Sequence, residues 1–303
     1  MNNNFDAVVI GNIGIDTNIY LLGHDIDWSR EGNFTENLDY IGQAGGYASR
    51  QFAKLGRKVA FIGYVGPDYQ GKFIKEELQK DGIDASGVFI DPAGTSRSVN
   101  IMYKDGRRKN FYDGKGHMSL KPNLEICKHI MQGARLAHFN IPNWARELLP
   151  LAKRLKLTIS TDLQDIVDLE DPYRQDFINH AEVIFFSTAN ISNPENAVRY
   201  LLQKDPNKLI IATMGANGLV FGHKDEVQHF PALQLEGPVI DTNGAGDGLA
   251  VGFLTSYFLE RCNLPDSVLR AQIVARHICG QRACTDHLMG KVDLQKLFTA
   301  RKS

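Results

Sequence analysis

The 303-residue chain predicts an α/β fold, a doubly wound and mostly parallel sheet flanked by helices. Three observations carry that expectation. Short apolar runs without polar alternation, such as residues 5–10, read as strands buried on both faces. Segments with apolar residues at helical spacing, such as 48–55, alternate with them. Glycines stand where one kind of segment gives way to the next, as at Gly11 and Gly56.

In chain order, the strand over 5–10 is followed by a helix over 48–55 and a second buried strand over 58–62. A helix containing 73–78 ends near Gly82. Further strands read at 135–139, 157–161, 183–186 and 209–213, and helices at 125–131, 144–155 and 195–202 fill the gaps. The last of these has Asn193 placed as N-cap and Pro194 at the first helical position. A strand-like apolar triplet at 238–240 and a helical run over 249–258 come later. Two segments break the alternation. Residues 15–41 hold two partly polar strands, at 17–22 and 34–41. Residues 96–113 read as a hairpin of 99–103 and 109–112, turning at Asp105 and Gly106. Together they predict a small antiparallel β-sheet hanging over the site as a lid. With no Pro/Gly/Ser-rich linker and no repeat, residues 1–303 read as a single α/β domain whose lid is formed by roughly 15–41 and 96–113.

The composition is that of an ordinary globular protein, 43% hydrophobic and 23% charged, with a formal net charge of −1. That balance argues against nucleic acid or an anionic membrane as a global partner. The short basic cluster Arg107-Arg108-Lys109 reads as a solvated turn. No charged segment followed by an apolar one opens the chain, and no run approaches the roughly 20 apolar residues of a membrane span. The expected location is the cytoplasm. Cys127, Cys262, Cys279 and Cys284 have no zinc or CxxC spacing and read as free thiols. A Cys279–Cys284 pair is the alternative.

The chemistry concentrates in Asp241-Thr242-Asn243-Gly244-Ala245-Gly246-Asp247. Two glycines and an alanine let a backbone approach a ligand closely. A following helix offers unpaired N–H groups and the positive end of its dipole. Asp247 adds a carboxylate in the first helical turn. A phosphate cradle with a built-in base suits phosphoryl transfer to an alcohol, although a plain strand-to-helix turn explains the same composition. Asp16 follows the first strand in Gly11-Asn12-Ile13-Gly14-Ile15-Asp16, where a carboxylate is well placed for sugar hydroxyls. The two glycines there lack dinucleotide spacing. Gly42-Gln43-Ala44-Gly45-Gly46 precedes a helix and can bring N–H groups to a polar ligand. Thr213-Met214-Gly215-Ala216-Asn217-Gly218 follows a buried strand and suits the phosphate end of a nucleotide.

Taken together, these residues resemble the ribokinase-like (PfkB) carbohydrate kinase family over essentially the whole chain. The segment 241–247 is similar to that family's C-terminal signature, and the stretch 55–68, with Gly71 and Gly82 beyond it, to its N-terminal region. The resemblance implies an ATP-dependent kinase acting on a hydroxymethyl group. Asp247 matches the base, and Gly244, Ala245 and Gly246 match the anion hole. Asp16, Asn12, Gly45, Gly46, Tyr47 and Asn140 match the acceptor site. Thr213, Gly215, Gly218 and Asn243 match the nucleotide site. Mg²⁺ is implied with the nucleotide, and Asp241 falls where relatives that use K⁺ hold it.

Two departures stand out. Relatives usually place Asn nine residues before the glycine matched by Gly56, where this chain has Tyr47. Their Asn-x-x-Glu motif becomes Ser187-Thr188-Ala189-Asn190, without a carboxylate, and Asp162 is the substitute expected to help with Mg²⁺. The expected acceptor is a sugar or a nucleoside, and Arg97 and Arg107 of the lid are candidates to grip a phosphate already on it. A nucleoside kinase of the same family and a non-catalytic ligand-binding regulator are the rival readings. A homodimer through the lid is the expected assembly.

Overall fold

The computed structural model describes residues 5–104, 107–234, 236–282 and 287–302. The predicted turn at Asp105 and Gly106, and Cys284, lie outside them. Thirteen strands are present among the described residues: β1 (Phe5–Ile10), β2 (Gly14–Leu21), β3 (Thr35–Gly42), β4 (Val59–Val65), β5 (Asp84–Ile90), β6 (Arg97–Met102), β7 (Arg108–Asp113), β8 (Ala134–Phe139), β9 (Thr158–Asp165), β10 (Val183–Ser187), β11 (Leu209–Thr213), β12 (Leu219–His223) and β13 (Glu226–Phe230). The α-helices are α1 (Gln43–Lys54), α2 (Tyr69–Lys80), α3 (Leu124–Met131), α4 (Leu149–Arg154), α5 (Pro172–His180), α6 (Pro194–Lys204), α7 (Ala245–Leu254), α8 (Leu264–Cys279) and α9 (Lys291–Lys302).

Nine strands form one sheet in the order β13-β12-β11-β10-β9-β8-β1-β4-β5, parallel from β11 to β5. Central strand β1 shows why the chain winds to both sides. Its Ala7 and Val9 face one apolar layer, with Phe52 of α1 and Val251 of α7. Val8 and Ile10 face the other, with Met131, Leu149 and Phe177. A strand buried on both faces has no use for polar alternation, and the sequence shows none.

The remaining strands form a separate sheet in the order β3-β2-β6-β7. The expected antiparallel lid is mixed: β2 runs antiparallel to β3, and β6 to β7, but the central β2–β6 pair is parallel. Its two hairpin-like halves enter from different crossovers of the main sheet, so their inner strands meet in the same direction. Two other expectations are corrected. Residues 238–240 form no strand: Val239 and Ile240 are exposed, and Ile240 N–H donates to the Cys279 carbonyl at the end of α8. The run over 249–258 is not one α-helix, since α7 passes at Thr255 into a π-helical turn. Cys127, Cys262 and Cys279 are free thiols. No helix among the described residues is long and apolar enough to cross a membrane.

Candidate active site

The turn before α7 faces the inner side of the lid. Gly244 caps α7 with φ of +75°, a left-handed conformation open to glycine at no steric cost. No side chain caps this helix, and a Cβ added at Gly246 would meet nothing within 4 Å. First-turn amides lack intrahelical partners, so the Gly246 region is an open cradle at a dipole's positive end. The helix is held in place by close approach to α8, where a Cβ on Gly252 would lie 2.8 Å from the Ala271 Cα.

Asp247 sits in the first turn of α7. Burial raises its pKa well above the ordinary value, and the negative charges of Asp162 and Asp16 add to that, while Arg108 opposes it. The charges of Asp162, Asp16 and Arg108 are thus all felt at Asp247. Asp16 of β2 is also pushed up by burial, partly offset by the Tyr47 hydroxyl and the Gln43 N–H, which donate to Oδ2, and by the nearby Ser98 hydroxyl. Burial pushes Asp162, on β9, up to about 6.

Two non-glycine residues with left-handed backbones serve these carboxylates. Gln43 (φ +62°) donates its N–H to Asp16 Oδ2 at 3.3 Å, and Gln164 (φ +61°) donates its N–H to Asp162 Oδ1 at 2.8 Å. Such backbones cost about 1–3 kcal/mol each and gather where the surroundings over-determine them. Among the described residues, Asp16 Oδ1, Asp247 Oδ1 and both amide atoms of Asn140 are buried with no hydrogen-bond partner. Groups left this way are costly unless a ligand completes them.

The other expected residues divide. Asn12 donates to the Tyr112 hydroxyl of the lid. Gly46 spends its N–H on the Asn12 carbonyl at 3.2 Å, and a Cβ on Gly45 would lie 2.5 Å from that same oxygen. Both glycines therefore pack α1 on the Asn12 loop. Thr213 ends β11, and its carbonyl accepts from the Thr188 N–H and hydroxyl, each at 2.9 Å. Gly215 (φ +55°) is exposed beyond it, and Gly218 (φ +93°) is needed where the chain turns into β12. Asp241 is occupied by the lid: Oδ2 accepts from Asn18 at 2.6 Å and Tyr20 at 3.0 Å, and Oδ1 from the Asn243 N–H at 2.8 Å.

Arg97 and Arg107 do not reach the site. Arg97 pairs with Thr17 and Asp39, and Arg107 with Asp25, all at exposed positions. The lid cation at the site is Arg108, which belongs to β7 rather than to a turn and stays exposed, as the basic cluster suggested. It donates to the Asn243 side chain and lowers the pKa of Asp16, Asp241 and Asp247. Register explains its direction. Arg108 pairs with Met102, and Met102 with Tyr20. Met102 is buried against Asn243, so alternation turns Arg108 inward as well. That signal was present in the hairpin pattern.

A family model described as "pfkB family carbohydrate kinase" matches residues 5–153 and 176–289. The chain is 27% identical over 271 residues to an acarbose 7(IV)-phosphotransferase from an Actinoplanes strain, covering 86% of this chain and 89% of that one. A microbiome-derived acarbose kinase of known structure superposes with a TM-score of 0.87 at 23% identity, covering 98% of this chain and 99% of that one. An Arabidopsis thaliana ribokinase solved with ribose and ATP superposes with a TM-score of 0.80 at 16% identity, covering 97% of this chain and 98% of that one. The last two likenesses establish the fold.

Proposed function

Since the chain belongs to the pfkB family of carbohydrate kinases, we propose that it transfers the γ-phosphate of ATP to a hydroxymethyl group of a sugar or sugar-like small molecule. The observation that carries the reading is the open glycine turn capping α7 beside Asp247, whose Oδ1 is buried and unpartnered among the described residues. Ionised Asp247 accepts the acceptor's hydroxyl proton as that oxygen bonds to the γ-phosphorus. The bond to the β,γ-bridging oxygen breaks, and its electron pair leaves with ADP. The Gly244 and Gly246 amides and the Arg108 guanidinium are the donors proposed for charge on the transferring group, the Ala245 N–H being spent on the Thr242 carbonyl at 3.2 Å. Asp16 Oδ1 and the Asn140 amide offer hydrogen bonds to acceptor hydroxyls. Thr213, Gly215 and Gly218 form the nucleotide edge.

Magnesium is the metal that the reaction implies. A buried carboxyl with a raised pKa, as at Asp162, fits a group whose charge a divalent cation would stabilise, and the Asn190 amide lies 3.5 Å from neighbouring Asp165. Among the described residues no three acidic, His or Cys side chains form a cage by themselves. Asp162 would therefore share the ion with phosphate oxygens, and the ion when bound neutralises charge on them. Potassium fits Asp241 less well, because both carboxylate oxygens already accept hydrogen bonds. Asp241 acts as the lid's anchor.

The acarbose kinases among the relatives support a sugar-derived acceptor over a nucleoside. The complete turn and base support catalysis over a purely regulatory role. A cytoplasmic location and a homodimer through the outer face of the lid complete the proposal. ATP consumption across acarbose, simple sugars and nucleosides tests it, and silence on every sugar would refute it.

A further inference from the structure

Tyr47 stands where the family motif has asparagine, and its ring and hydroxyl do separate work. The ring is 5% exposed and lies against the residue that caps α7: a Cβ on Gly244 would be 2.8 Å from Tyr47 Cδ1. The hydroxyl donates to Asp16 Oδ2 at 2.7 Å. Its oxygen is 3.2 Å from the Tyr40 hydroxyl, which can donate to it in turn. Oδ2 also receives the Gln43 N–H at 3.3 Å. Asp16 Oδ1, by contrast, is buried and without a partner among the described residues. The two oxygens of one carboxylate are thus unequal, one engaged by the protein and one available to a ligand.

We propose that Tyr47 is a positioning residue that ties the acceptor carboxylate Asp16 to the anion-hole turn at Gly244, so that Asp16 presents Oδ1 to a single acceptor hydroxyl. The inference rests on the kinase reading above and deepens it. An acceptor whose neighbouring hydroxyl is absent, inverted or locked in a glycosidic bond pays no penalty at this carboxylate. An asparagine in this place has no aromatic ring to pack on Gly244.

The groups facing Asp16 are Tyr47 and Gln43 of α1, Tyr40 of β3, Ser98 of β6, Arg108 and Tyr112 of β7, and Asp247 of α7. Tyr47→Phe removes only the hydroxyl. Loss of a hydrogen bond to a charged group should raise the acceptor KM about 10-fold or more, with kcat within about twofold and the ATP KM unchanged. The acid limb of kcat/KM should move to higher pH, since a bond that lowers the Asp16 pKa is gone. Tyr47→Leu, which also removes the ring, should lower kcat in addition. Unchanged acceptor KM and acid limb in Tyr47→Phe would overturn the proposal, as would a loss of kcat with KM preserved.

A second readout does not need activity. Carbon-13 NMR titration of the Asp16 carboxyl, assigned through Asp16→Asn, should give a higher midpoint in Tyr47→Phe, and an unmoved midpoint would also overturn the proposal. A wild-type enzyme silent on all sugars would sink the function while leaving this titration readable. Should Tyr47→Phe fail to fold, Tyr40→Phe should move the midpoint the same way by less, and no movement there counts against the proposal.

Discussion

Asp247, Asp162 and Asp16 are three carboxylates that burial holds above their ordinary range. A base with a raised pKa takes a proton more readily, and it demands a pH high enough to keep it ionised. The cost falls on stability. Asp162 has a folded pKa of about 6 against 3.8 for the ordinary carboxyl. The folded state therefore holds that proton more tightly than the unfolded chain does. The resulting stabilisation is fully present below the unfolded pKa and is lost as pH rises through about 6. Asp162→Asn carries no charge at any pH, so it should be more stable than wild type at neutral pH by about 1–3 kcal/mol. Near pH 4 the difference should largely vanish. Urea denaturation at the two pH values checks this, and an equal difference at both would contradict it. Most of this site was legible from residue types alone: Asp16 and Asp247 sit beside small-residue turns that announce them. Gln43 and Gln164 were not legible, because nothing in a glutamine signals a left-handed backbone.

Among the elements, the lid sheet supplies one wall of the candidate site. Its inner face is a set of polar rungs fixed by register: Tyr40, Asp16, Ser98 and Tyr112 on one, Leu38, Asn18, Asn100 and Asn110 on the next. Asn110 donates to Asn100 at 2.8 Å, Asn100 to Asn18 at 2.9 Å, and Asn18 to Asp241 at 2.6 Å. Hydrogen bonds thus run from the lid's edge strand to the start of the turn before α7. Arg108 makes the other connection, through Asn243. Arg108→Met should lower kcat about 100-fold, the scale of losing one donor to transition-state charge, with little change in melting temperature. A retained rate would remove Arg108 from the mechanism. Strands buried on both faces were the easiest elements to read. Helix α5, whose buried residues Phe177 and Ile178 stand side by side, gave no clear helical period. Residues 144–155 begin as a 3₁₀ turn and pass into α4 just before Pro150. The apolar triplet at 238–240 lacks neighbours on the sheet, so hydrophobicity without a pairing partner misled there.

At the scale of the molecule, the doubly wound sheet brings its chemistry to one place. Asn12 follows β1, Asn140 follows β8, Asp162 lies in the second half of β9, and Gly215 follows β11, on the carboxyl-end side of the parallel strands. The lid closes over them with its polar face inward. Its outer face turns Ile19, Val99, Ile101 and Phe111 away from the site, with Phe111 55% exposed. The proposed dimer would bury this face between two copies, and sedimentation at micromolar concentration should report a dimer that Phe111→Asp converts to monomer. A wild-type monomer would contradict that assembly.

The proposed role of Asp247 is that of the base of an ATP-dependent sugar kinase. It is tested most directly by comparing ADP production by wild type and Asp247→Asn on the best acceptor of a sugar panel, with nucleotide affinity measured in parallel. The expected result is a kcat lower by about 10²–10⁴-fold in a variant that binds ATP as wild type does. A variant that turns over sugar at the wild-type rate would contradict it.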